Sequence, residues 1–163
     1  MAIRVVPSRP FMPGYGLPAD ARGLKPWSWG EEILRGGHNY WLATAGADGR
    51  PHVMPVWAVW ALDALWVSTG AESRKARNLA VRSECSAGTE RAGEAVIVEG
   101  VSARLAASDA LPEIARLYVA KYGGGYPDDS PLFRVEPRVA FGFSEAADAF
   151  GEAPTRWRFE REE

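Results

Sequence analysis

At 163 residues, with 47% hydrophobic and 25% charged side chains, the chain has the make-up of one soluble globular domain, long enough to bury a core. A net charge of −2 points neither to nucleic acid nor to an anionic membrane, and the single cysteine, Cys85, excludes an internal disulfide and fits a reducing cytoplasm. There is no basic-then-apolar leader, and the longest apolar stretch, residues 53–67, carries Pro55 and Asp63 and is too short to span a bilayer; a cytoplasmic protein without membrane or nucleic-acid partners is expected.

Residues 1–27 are rich in Pro and Gly and read as an extended arm. Ser28-Trp29-Gly30-Glu31 has the capping-box pattern, so a short helix is expected to about Arg35, ended by Gly36-Gly37. Tyr40 to Ala45 reads as a strand, Asp48-Gly49 as a hairpin turn, His52 to Leu62 as a long strand, Asp63-Ala64 as a second turn and Leu65 to Thr69 as a third strand. Pro55 inside the second of these implies an edge or a bulge. A helix over residues 73–82 follows, then strands over 85–89 and 95–106, with Gly100 bending the latter. Ser108 opens a helix with Leu111, Ile114, Tyr118 and Tyr122 on one face and Pro112 in its first turn; the glycines from 123 stop it. Strands over 132–135, 138–144 and 155–159 complete the chain. About seven short strands with helices at the joints predict a mainly β fold, a closed or half-closed antiparallel barrel, and not a doubly wound parallel sheet.

The most informative stretch is residues 68–79. The β-like run ending Ser68-Thr69 stops at Gly70, Ser73 is placed to cap the next helix, and Arg74, Lys75 and Arg77 occupy its first turn. Cations there oppose the helix dipole, yet a helix start also offers unpaired N–H groups. A bound anion, above all a phosphate, accounts for both; a solvated start with surface charge is the plain alternative. With Lys25, Lys75 and Lys121 the only lysines, one at this position is not surface filler. The seven tryptophans suit a barrel core, a subunit seam or an aromatic ligand. Cys85 reads as a small buried apolar group rather than a nucleophile. His38 and His52 have no metal-ligand spacing, so no metal is expected; His52 reads as a hydrogen-bonded histidine rather than a proton donor.

The series Tyr40-Trp41-Leu42-Ala43-Thr44, Asp48-Gly49-Arg50-Pro51-His52, Pro55-Val56-Trp57, Ser68-Thr69-Gly70, Ser73-Arg74-Lys75-Ala76-Arg77-Asn78-Leu79 and Val98-Glu99-Gly100 resembles, in order and spacing, the pyridoxamine 5′-phosphate oxidase-like family of flavin-binding split β-barrels, which includes a branch that binds the deazaflavin F420. The resemblance covers residues 38–107 well and 138–159 more loosely. It implies a single split-barrel domain over 28–163 behind the arm, and a homodimer with two cofactor sites at the seam. It also implies FMN or F420 as cofactor. Carried over, Ser68 and Thr69 end the strand beside the cofactor phosphate, Ser73, Arg74 and Lys75 hold that phosphate, Met54, Pro55, Val56 and Trp57 flank the ring, and Arg156 and Trp157 lie on a C-terminal strand that approaches the partner's site or simply closes the barrel.

The cofactor carries the hydride chemistry in such proteins, so no catalytic triad is expected and no catalytic residue is assigned. The chain departs from true vitamin B6 oxidases: it ends Thr155-Arg156-Trp157-Arg158-Phe159 and then acidic residues, without the basic, proline-containing segment that completes a substrate phosphate site. F420 has an acidic tail for which Arg50, Arg77 and Arg156 are candidates; the Ser-Arg-Lys run suits FMN equally. The expectation is an FMN- or F420-dependent oxidoreductase acting on a small organic substrate. A non-catalytic flavin- or haem-binding barrel, or a cofactor-bound regulator or scaffold dimer, is the alternative.

Overall fold

A computed structural model describes residues 3–106, 111–124, 130–146 and 153–161. Period-two patterning produces the strands. In β2 (Asn39–Ala45) and β5 (Glu84–Thr89), buried and outward residues alternate, as a half-buried sheet requires. The remaining strands are β1 (Ile3–Ser8), β3 (Pro51–Ala61), β4 (Ala64–Ser68), β6 (Glu94–Leu105), β7 (Leu132–Ser144) and β8 (Thr155–Arg161). All pairings are antiparallel, in the order β1-β8-β7-β4-β3-β2-β5-β6, and β6 pairs with β7 to close six of the strands into a barrel. Closure gives each of those six a neighbour on both sides, except where a longer strand outruns its partner, as β3 does before Trp57. β8 continues from the far half of β7, and β1 from β8. No helix among the described residues is long and apolar enough to cross a membrane.

Helix α1 (Trp27–Gly36) lays Leu34 and its aromatic face on the barrel core. Trp27 meets Trp60, Trp157 and Phe159 edge-on at 4.8–5.7 Å between centroids. Gly142 makes room for this cluster, since a Cβ there would lie 2.8 Å from rings of both Trp157 and Trp29. Most of the tryptophans are therefore core, as their size favours; Trp41 and Trp57 face outward, each about half exposed.

Within the Pro- and Gly-rich segment 1–27, residues 3–8 form β1 and gain a full ladder with β8 despite Pro7. Four local expectations are corrected. Pro26, not Ser28, caps α1; Glu31 instead accepts from the Trp60 indole N–H at 3.1 Å, because burying Trp27 draws it into the first helical turn. The second hairpin turn is Leu62-Asp63, both left-handed (φ 51° and 54°), because Ala61 and Ala64 pair directly. The two strands expected over 132–135 and 138–144 are one: Gly100 pairs with Pro137 and Glu99 with Val139, so Arg138 is the extra residue of a bulge that accommodates the proline. The helix α3 runs Pro112–Tyr122 with Leu111, which is exposed, at its N-cap; the start expected at Ser108 lies outside the described residues. Pro55 is an edge position in effect, since β4 pairs with β3 only from Trp57 onward.

Candidate functional site

Helix α2 (Arg74–Val81) starts as its sequence dictates. The Ser73 Oγ accepts from Ala76 N at 3.2 Å and lies 3.3 Å from Thr69 Oγ1, so strand end and helix start are tied through two hydroxyls. Ala76, Asn78 and Leu79 bury the inner face of the helix. Its outer face leaves Arg74 and Arg77 exposed and Lys75 half-buried. Among the described residues, neither the Arg74 nor the Lys75 side chain has an ion-pair or hydrogen-bond partner.

Beside this helix start lies a cavity of about 270 Å³ walled by Pro55, Val56, Trp57, Ser68, Thr69, Gly70, Lys75 and Ser130. Six of these are residues predicted to bind a cofactor, drawn from two strands and a helix. Ser73 adjoins the wall through Thr69, and Arg74 precedes Lys75 on the exposed side. Met54 is not in the wall; it pairs with Leu42 across the ladder. Arg156 lies on β8, its Nε donating to Ser8 Oγ at 3.1 Å. The Trp157 ring is fully buried in its own core and donates to the Lys25 carbonyl at 3.0 Å. Arg50 is exposed and pairs with Asp48 at 3.3 Å.

The donor set fits an anionic group: an uncommitted ammonium and three hydroxyl residues line one hollow beside a helix N-terminus. Pro55, Val56 and Trp57 form the β3 side of the same hollow, with Val56 packed into the barrel core between its two outward-facing neighbours. No cluster of metal-ligating side chains occurs among the described residues.

Sequence reasoning missed the support behind that wall, which comes from α3. The Tyr118 hydroxyl accepts from Ser68 N at 2.8 Å and lies 2.8 and 3.1 Å from the carbonyls of Trp66 and Trp57. The Tyr122 hydroxyl accepts from Ala58 N at 2.8 Å and lies 2.7 Å from the His38 carbonyl. The Tyr122 ring is stacked on Trp57, with centroids 4.5 Å apart and planes 4° from parallel. Helical spacing marked Tyr118 and Tyr122 as one face, without this role. Ser130 lies in a loop whose sequence carries no signal for it.

A larger groove of about 520 Å³ runs over the outside of the barrel, lined by Ala43, Ala45, Pro51, Ser86, Glu99 and Arg138 among others. Beside it Trp41, Val53, Pro55 and Trp57 share the outer face, because Trp41 pairs with Pro55, Ala43 with Val53 and Asn39 with Trp57. Trp41, Val53 and Trp57 are about half exposed, so this face is unusually apolar for solvent.

Comparison with solved structures gives the same architecture at low identity. The conserved hypothetical protein Rv2991 from Mycobacterium tuberculosis is 22% identical, with 74% of this chain and 86% of that one covered and a TM-score of 0.61. A structure described as an F420 reductase is 20% identical over 68% and 94% of the two chains, TM-score 0.57. HutZ, the haem storage protein of Vibrio cholerae, is 22% identical over 66% and 86%, TM-score 0.56. At such identities the likeness establishes the split-barrel fold alone. No curated protein matches the chain. The sequence itself carries the assignment further, since residues 31–144 match the family model described as pyridoxamine 5′-phosphate oxidase. That span takes in both strands of the cavity wall, the start of α2 and the whole of α3, and the chain belongs to this family.

Proposed function

We propose that the protein is an oxidoreductase that uses FMN or F420 to pass hydride to or from a small planar organic substrate. One observation carries this reading: the cation and hydroxyl residues Lys75, Ser68 and Thr69 line the same cavity as the β3 residues Pro55, Val56 and Trp57. A single ligand with an anionic end and a flat end meets both. Ser68, Thr69, Ser73, Arg74 and Lys75 grip the phosphate, and the strand from Met54 to Trp57 flanks the ring. The bound cofactor supplies the hydride chemistry, and the chain binds, orients and excludes water. Arg156 is the β8 residue available to a site at a subunit seam; Trp157, committed to its own core, supports β8 from behind.

The apolar outer face of Trp41 and Val53, beside Trp57, is, in this reading, where a second copy docks, placing the cavity rim at the seam. Haem is the weaker reading, because no histidine, cysteine, methionine or tyrosine lines the cavity among the described residues to serve as an axial ligand. The experiment is titration of FMN and of F420 into stripped wild type and into Arg74→Ala/Lys75→Ala. The variant should keep its fold and lose about 3–6 kcal/mol of binding, the worth of two charge-assisted contacts. Equal affinity in wild type and variant rejects the site, and sedimentation of a monomer rejects the seam.

A further inference from the structure

Trp57 is held with unusual care for a half-exposed residue. Tyr122 covers one face of its indole. Among the described residues no other ring or cation lies against it. The backbone on either side is pinned by α3: Tyr122 takes Ala58 N, Tyr118 reaches the Trp57 carbonyl, and Lys121 Nζ donates to the Ala58 carbonyl at 3.2 Å. Three side chains within a turn and a half of helix thus fix the angle of one indole at the mouth of the anion cradle. Its ordering entropy is spent before any ligand arrives, which is how a preorganised stacking surface gains affinity.

We infer that the free face of Trp57 is the platform on which the cofactor's tricyclic ring stacks, and that it favours the oxidised ring over the reduced one. The inference rests on the cofactor reading above. The face of an indole is the negative side of its quadrupole, so it attracts an electron-poor ring. Two added electrons make the ring electron-rich and weaken that attraction. By linkage, a surface that binds the oxidised form more tightly lowers the potential of the bound couple.

The test compares stripped wild type, Trp57→Leu and Trp57→Phe, each titrated with FMN, oxidised and then reduced by dithionite, with flavin emission and sedimentation recorded alongside. Wild type should quench the emission of bound FMN. Trp57→Leu should bind oxidised FMN about 3- to 10-fold more weakly and restore its emission, while affinity for reduced FMN changes less than twofold. Trp57→Phe, which keeps a ring, should fall between. An unchanged ratio of oxidised to reduced affinity in Trp57→Leu overturns the platform while leaving the cofactor reading intact. Equal loss of both forms together with dissociation to monomer also overturns it, making Trp57 a subunit contact. Failure of wild type to bind both FMN and, in a parallel titration, F420 removes the cofactor reading itself, and the platform with it.

Discussion

Asn78 Nδ2 donates to Thr44 Oγ1 across 3.0 Å, and both side chains are almost fully buried. This bond ties the middle of α2 to β2 through the barrel wall, and so fixes the helix whose first turn presents Arg74 and Lys75. Ala at 78 strands the Thr44 hydroxyl without a partner and opens a small void. Asn78→Ala should therefore lose about 1–3 kcal/mol in urea unfolding. Adding Thr44→Val, which removes the stranded hydroxyl, should recover part of that loss in a double-mutant cycle. Strict additivity would show that the two groups are not coupled.

The β-bulge makes a different demand. A Cβ at Gly100 would lie 2.9 Å from the Glu136 carbonyl carbon, closer still to its oxygen, and 3.2 Å from Pro137 Cα. These are backbone atoms of the paired strand and have no rotamer through which to yield. Gly100→Ala should cost about 1–3 kcal/mol, as overpacking does. Gly124→Ala, where nothing lies within 4 Å, is the control and should melt with wild type. Matching melts for both variants would show that the bulge relaxes freely.

Cys85 is buried on the inner face of β5, where burial and the nearby Glu84 carboxylate push its thiol up to about 12. The reactive thiolate is then almost absent at neutral pH. Ellman's reagent at pH 8 should label the native protein far more slowly than the urea-unfolded chain, which should take up one equivalent. Rapid native labelling would mean that β5 opens locally.

How much of this could be read from the chain alone depends on the range of the interaction. The start of α2 was visible because a cap, its hydroxyl partner and the cations fall within a few residues, from Thr69 to Lys75. β2 and β5 were visible because alternation is a local pattern, and β3 and β4 because a tight turn joins two apolar runs. β1 was hidden, since its Pro-bearing sequence becomes a strand only through a ladder to β8 at the other end of the chain. The Tyr122–Trp57 stack was hidden for the same reason: two residues far apart in sequence meet only after the barrel places β3 under α3. Ser28 failed as a cap because a local preference lost to burial of the neighbouring Trp27.

Lys121 supplies a prediction on pH. Its Nζ donates to the Gly37 carbonyl at 2.7 Å, to Tyr40 Oη at 3.0 Å and to the Ala58 carbonyl, and no carboxylate pairs with it among the described residues. Burial pulls the ammonium down to about 8, against a smaller upward pull from Glu90. The folded value thus lies below that of the unfolded chain, near 10.4. Between the two, the unfolded state binds more protons, so stability rises with pH. Below 8 both states are charged, the cost of burying the ammonium is fully present, and Lys121 contributes no slope. Tyr40 and Tyr122, the facing phenols, are both pushed up by burial, Tyr122 to about 12; they oppose the rise only above pH 10, where the unfolded phenols ionise first. The melting temperature of wild type relative to Lys121→Met should therefore be level from pH 6 to 7.5 and climb from pH 8 to 9.5. Parallel profiles across both ranges would show that Lys121 keeps an ordinary proton affinity in the folded protein.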